Sequence, residues 1–170
     1  MILDSGERRE FETGAVRDCA EGKGRFDLVP LKIFGHIYND RIIMALGECL
    51  ELYESKKTGY KEETVYLLQI VFRSAVEKMF DGNWIKAIME LAKHFEEGAK
   101  KYDDNNWKKG IPVRCYFDSA CRHYAKWVDY QDDEPHRRAV LWNIICAIWT
   151  IQNHEPDELY WKEFTIEPME

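Results

Sequence analysis

The chain has 170 residues, enough for one domain with a substantial core, and 45% of them are hydrophobic, too many for a disordered segment. Its formal net charge of −7 argues against a duplex nucleic acid partner, which requires a broad basic surface, but leaves room for a few cations around one small anion. No apolar run approaches the ~20 residues that cross a bilayer, so no membrane partner is expected.

"MILDSGERREFETG" lacks the basic-then-apolar layout of a signal peptide. The five cysteines (Cys19, Cys49, Cys115, Cys121, Cys146) form no CxxC pair and read as reduced thiols, so a cytoplasmic protein is expected. Residues 1–29 form an irregular N-terminal element punctuated by Gly14, Gly22 and Gly24, and Pro30 suits a first helical turn. From Leu31 to about Tyr53 apolar residues recur at helical spacing, with Gly47 as a weak point. "ESKKTGYKEE" is a turn pivoting at Gly59; "ETVYLLQIVFRSAVEKMF" (63–80) is a periodic helix that "DGN" closes.

Further helices run from Trp84 to about Tyr102, from Pro112 to about Tyr130 and from Pro135 to about Asn153. The tail, 154–170, is acidic and aromatic, suited to packing along the helices or against a neighbouring subunit. There is no convincing strand pair and no internal repeat. The fold class is therefore all-α: a single domain, 1–170, built as a bundle of four to five helices. "AVLWNIICAIW" (139–149) should be its central helix, with Leu141, Ile144, Ile145 and Ile148 in the core.

Chemistry collects on three helices. Glu90, His94, Glu97 and Lys101 follow one another at steps of four, three and four, so they share a face. That stripe is either a metal-binding row or a solvated face braced by a Glu97–Lys101 pair. On the next helix Asp118, Arg122 and Lys126 form an i,i+4 ladder, and Arg122 with Lys126 has the chemistry of a phosphate clamp. Asp118 would either fix the rotamer of Arg122 or ligate a metal, and His123 lies beside an aromatic stripe. His136 and Asn143, seven residues apart, aim a polar stripe into the last helix's apolar surroundings. It serves either as a network fixing helix register or as a ligand-facing pair. Polar stripes on three helices point to a cleft between them.

Four stretches, "ETGAVRDCAEGKGRFDLVP" (12–30), "LAKHFEEGAKKYDDNNWKKG" (91–110), "DSACRHYAKW" (118–127) and "HRRAVLWNIICAIW" (136–149), together resemble a family found largely in phage genomes. Its members are labelled dATP/dGTP diphosphohydrolase. The resemblance implies an all-α nucleotide protein, broadly like the MazG-type pyrophosphohydrolases, and the host cytoplasm as its location. Those enzymes use Mg²⁺ held by helical carboxylates to split a nucleoside triphosphate into monophosphate and pyrophosphate. Their sites assemble between subunits, which implies a homo-oligomer.

Two departures stand out. Residues 37–83 look like an inserted helical pair ahead of the nucleotide-site helices, 84–153. The MazG-type EExxE and ExxD signature is missing, because Glu96 and Glu97 are followed by Gly98, Ala99 and Lys100.

On this resemblance the expected function is a (deoxy)nucleoside triphosphate pyrophosphohydrolase dependent on Mg²⁺ or Mn²⁺. Glu97 and Asp118 would be catalytic and, with Glu90 or Asp133, would hold the ion. Lys101, Arg122 and Lys126 would neutralise the phosphates, joined by Lys23 and Arg25 of "GKGRFD". Trp107 or Tyr102 would stack on the base and Asn106 or Asn143 would read its edge, with His123 and His136 also binding the substrate. The alternative is a non-catalytic sponge that sequesters a nucleotide-derived immune signal and needs no metal.

Overall fold

Three helices begin directly after a proline: α1 (Leu31–Tyr38) after Pro30, α5 (Val113–Val128) after Pro112 and α6 (His136–Asn153) after Pro135. The first N–H groups of a helix have no intrahelical acceptor, so a proline there loses nothing. Two more open on capping side chains. Asp40 accepts from the N–H groups of Ile42 and Ile43 at 2.9 and 3.1 Å to start α2 (Arg41–Ser55). Asn83 accepts from Lys86 N–H at 2.9 Å to start α4 (Trp84–Tyr102). The remaining helix, α3 (Tyr60–Phe80), follows Gly59, whose φ of +80° suits glycine. The computed structural model describes residues 8–19 and 21–154, and these six α-helices dominate them, as the all-α reading expects. The acidic tail from residue 155 onward lies outside the described residues.

The single helix expected from Leu31 to about Tyr53 is corrected to two. Asn39 turns left-handed at φ +57° and ends α1, and Asp40 then caps α2. Asp40 also accepts from Lys78 Nζ and Tyr124 O–H, both at 2.8 Å, so one carboxylate ties the break to α3 and α5. Gly47 is no weak point either. A Cβ there would lie 2.3 Å from Lys32 N, and one on Gly35 would lie 2.5 Å from Met44 N. The two glycines let the α1 and α2 backbones touch.

The last helix is central, as expected: α6 packs on α5, α3 and α4. Leu141 and Ile144 are buried, but Ile145 is 37% exposed and Ile148 is only partly buried, which corrects their placement in the core. Neighbours cover α6 on three sides and Ile145 falls on the fourth, a distinction an all-round apolar sequence does not encode.

The N-terminal element is also more regular than expected. Arg8–Glu10 (β1) and Val16–Asp18 (β2) pair antiparallel with Arg9 opposite Arg17, and Gly14 at φ +75° turns the chain between them. Strands of three residues carrying mostly charge show no alternation to read. The hairpin is hooked onto the helices by side chains. Thr13 Oγ1 donates to Gly110 O at 2.8 Å. The Asn106 amide accepts from Val16 N–H and donates to Val16 O, each at 2.8 Å, standing in for a third strand. Downstream, a 3-10 turn (Phe26–Leu28) docks on α5 through Phe26 N–H to Asp118 Oδ1, 2.7 Å. Among the described residues no helix is long and apolar enough to cross a membrane.

Candidate functional site

The hairpin and the loop after it roof a cavity of about 880 Å³ whose walls are α4, α5, α6 and the turn at 103–107. That volume lies in the range of small-molecule sites. Lys23, Tyr102, Trp107, Arg122, His123 and Lys126 line it, as do Asn106, Asp133 and Asn143. Asp103 and Asn105 take positive φ, Asn105 in the left-handed region, and the turn they make brings Trp107 back against Phe95 and Trp149, at ring separations of 5.4 and 5.0 Å. Trp142 extends this aromatic wall beside Phe95 and Tyr116.

The side chain that organises the cavity is one the sequence did not single out. Arg17 reaches from β2 over the rings of Tyr116 and Trp142, 5.1 and 5.8 Å from their centroids. Its Nη2 donates to Ser119 Oγ at 3.0 Å and Asn143 Oδ1 at 2.9 Å. The Asn143 Nδ2 donates to Ala139 O, so this buried amide holds Arg17 in place with both ends engaged. Arg17 Nη1 has no hydrogen-bond partner among the described residues, and neither do His94 Nδ1 and Trp142 Nε1. All three residues line the same cavity. Each of these nitrogens is itself buried, and buried polar groups are paired in the great majority of cases, so three idle ones around one cavity are an unmet hydrogen-bonding demand. Burial, and then the charge of Arg138, pushes the His94 pKa down to about 3, so its imidazole is neutral at physiological pH.

The acids are engaged elsewhere. Glu97 accepts from Arg138 Nη2 at 2.7 Å, and Glu90 pairs with Lys93 at 2.6 Å and lies 3.8 Å from Arg138. Asp118 accepts from Arg122 at 2.7 Å as well as from Phe26 N–H. Asp133 accepts from Lys126 at 2.6 Å, a bond that, more than its bond to His136, holds its carboxyl below the usual range. Lys101 lies outside the cavity lining with its Nζ 2.7 Å from Asp18, which also takes the Tyr102 O–H at 2.5 Å. Arg25 makes a two-pronged pair with Asp27 at 2.6 and 2.7 Å. The Asn106 amide is committed to the Val16 backbone, one bond accepted and one donated, and the residue is buried.

One donor group does assemble. Among the described residues, His123, Glu134 and His136 are the only set of three or more potential metal ligands whose atoms lie within 4.8 Å of one another. His123 Nδ1 faces His136 Nδ1 at 3.1 Å, and His136 Nε2 lies 2.8 Å from Asp133 Oδ1. Burial, followed by the charge of Arg122, holds the His123 pKa well below that of an ordinary histidine. Glu90, Glu97, Asp118 and Asp133 form no such group. A Mg²⁺ ion seeks several oxygen ligands at near-octahedral geometry, and these four acids, each already paired with a cation, do not fit one.

Glu134, Arg17 and Trp142 were invisible for different reasons. Glu134 lies in a run of acids ahead of a helix, Trp142 lies in a helix that is apolar on nearly every side, and an arginine in a three-residue strand carries no periodic signal.

Residues 72–158 match the model of a protein family described as dATP/dGTP diphosphohydrolase, N-terminal. No curated protein and no solved structure matches the chain. The matched segment contains α4, α5 and α6, whereas Arg17 and Lys23 come from outside it.

Proposed function

The chain belongs to the dATP/dGTP diphosphohydrolase family, and from that membership we propose that its cavity takes a purine deoxynucleoside triphosphate and hydrolyses it to monophosphate and pyrophosphate. The observation that carries this reading is Arg17, a guanidinium in the cavity lining fixed on two rings and two hydrogen bonds. A phosphate group is the natural partner of a guanidinium. Arg122, Lys126 and Lys23 line the same space and supply further positive charge for the phosphate chain. Trp107 and Trp142 give a purine apolar surface to lie against. As charge builds on the phosphate oxygens during hydrolysis, prearranged guanidinium and ammonium groups would stabilise it without having to reorganise. Because Arg122 is held by Asp118 and Ser119 at 2.7 and 2.8 Å, its geometry is set before the ligand arrives.

A second reading is sequestration without turnover, favoured by one observation: Glu97 and Asp118 are engaged with arginines. Incubating the protein with dATP or dGTP plus Mg²⁺ or Mn²⁺, followed by ion-exchange chromatography, separates the two. Pyrophosphate with dAMP or dGMP supports hydrolysis. Intact nucleotide recovered from heat-denatured protein supports sequestration. Neither product nor retained nucleotide overturns both.

A further inference from the structure

We propose that His123, His136 and Glu134 form a binding site for one first-row transition-metal ion at the cavity wall, with Asp133 holding His136 in its ligating tautomer. Three features of the geometry support it.

The first is spacing. Two nitrogens each about 2.0–2.1 Å from a common ion stand about 2.9 Å apart at a right angle and about 3.4 Å apart at the tetrahedral angle. The two Nδ1 atoms stand 3.1 Å apart, and Glu134 Oε2 is 3.6 Å from His123 Nδ1.

The second is orientation. The Nε2–H of His136 points at Asp133 Oδ1, 2.8 Å away, and Lys126 anchors that carboxylate at 2.6 Å. A ligating histidine typically gives its other ring N–H to a carboxylate in this way, which leaves the facing nitrogen as a lone pair. Without an ion, the close Nδ1 pair is held by one shared proton, His123 Nδ1–H donating to His136 Nδ1. Binding therefore moves that proton to His123 Nε2 and changes the charge of neither imidazole.

The third is access. The His136 side chain is 1% exposed, yet His123 and Glu134 both line the cavity, so an ion held there keeps coordination positions open toward a ligand. Two imidazoles and one carboxylate suit Mn²⁺, Co²⁺ or Zn²⁺ better than Mg²⁺, which takes oxygen ligands. Use of the ion in hydrolysis rests on the nucleotide reading; the site itself does not.

The test is equilibrium dialysis of the full chain against Co²⁺, with the visible absorption and paramagnetically shifted imidazole protons as readouts. The expected result is one Co²⁺ per chain, undisplaced by equimolar Mg²⁺, with two histidine ring signals shifted. His123→Ala, or Glu134→Gln should buried histidine variants fail to fold, lowers the affinity at least tenfold. Asp133→Asn lowers it about 10–100-fold, and Glu97→Gln leaves it unchanged. No bound Co²⁺, or Co²⁺ binding of unaltered affinity in folded His123→Ala or Glu134→Gln, overturns the proposal. A chain that binds dATP but no Co²⁺ overturns the metal site alone. One that binds Co²⁺ at the histidines but neither dATP nor dGTP supports the site and overturns the nucleotide reading.

Discussion

At the scale of the single residue, the site turns on partners rather than residue types. Lys23, Arg122 and Lys126, which the sequence offers through a glycine-rich loop and an i,i+4 ladder, all line the cavity, because these are local signals. The sequence had no means of finding that Arg17 is held by Asn143, a pairing across 126 positions. Replacing Arg17 with Lys keeps the charge but loses the fork and the ring stacking. Titration calorimetry should show dATP affinity falling at least tenfold, whereas Lys108→Ala, outside the cavity, changes it less than about threefold. Equal losses would point to a diffuse basic surface. Glu97 is the complementary case. With its oxygen on the nearly buried Arg138, Glu97→Gln should lower stability by about 1–3 kcal/mol in urea titrations. Nucleotide affinity should stay within a few-fold. Unchanged stability with abolished turnover would instead place Glu97 in the chemistry.

Elements were legible where periodicity ran long. The bounds of α4 match the expected helix, α3 and α6 end where expected and start within a few residues, and α5 differs by only one or two residues at each end. The misreading of α1 and α2 as one helix has a physical source, since apolar spacing continues across Asn39 and only the Asp40 cap marks the break. Gly47 was weighed by helix propensity when it is fixed by packing. Gly47→Ala should therefore cost about 1–3 kcal/mol, because its methyl would meet the backbone of Leu31 and Lys32. A Cβ on Gly98 of α4 would meet nothing within 4 Å, so Gly98→Ala should raise stability by about 0.5–1 kcal/mol. Thermal denaturation of both variants checks the contrast.

For the whole molecule, the buried neutral histidines give stability a sign with pH. His94 has a folded pKa of about 3 against 6.5 in the unfolded chain, and His123 is shifted in the same direction. Below pH 6.5 the unfolded chain takes up protons that the folded one refuses. Their contribution is thus complete above pH 6.5 and, for His94, is lost at about 1.4 kcal/mol per pH unit until pH nears 3. Asp27, Asp40 and Asp133, whose pKa values are lowered from 3.8, hold their charge through this window and lose their contribution only as pH falls below about 4. The urea midpoint should fall from pH 7 to pH 5, and His94→Phe should flatten the slope; an unchanged slope would contradict this origin.

The surface carries a further expectation. Trp84, Ile85, Ile88 and Met89 expose an apolar row on α4, the kind of surface the homo-oligomer implied by the family resemblance would cover. Light scattering should give a mass above 20.2 kDa that Ile85→Glu together with Ile88→Glu reduces; a monomer in the parent protein would refute it.

The bond from Arg17 to Asn143 also sets a clock. On the ribosome the hairpin is made well before the middle of α6. At about 5–20 residues per second, the intervening 126 residues separate the two by roughly 6–25 s. During that interval α1, α2 and α3 can pair with one another, but the cavity lacks a wall and Arg17 has no acceptor in α6. A growing chain therefore cannot close the cavity until α6 is made, and the walls and the anchored Arg17 come together in one step.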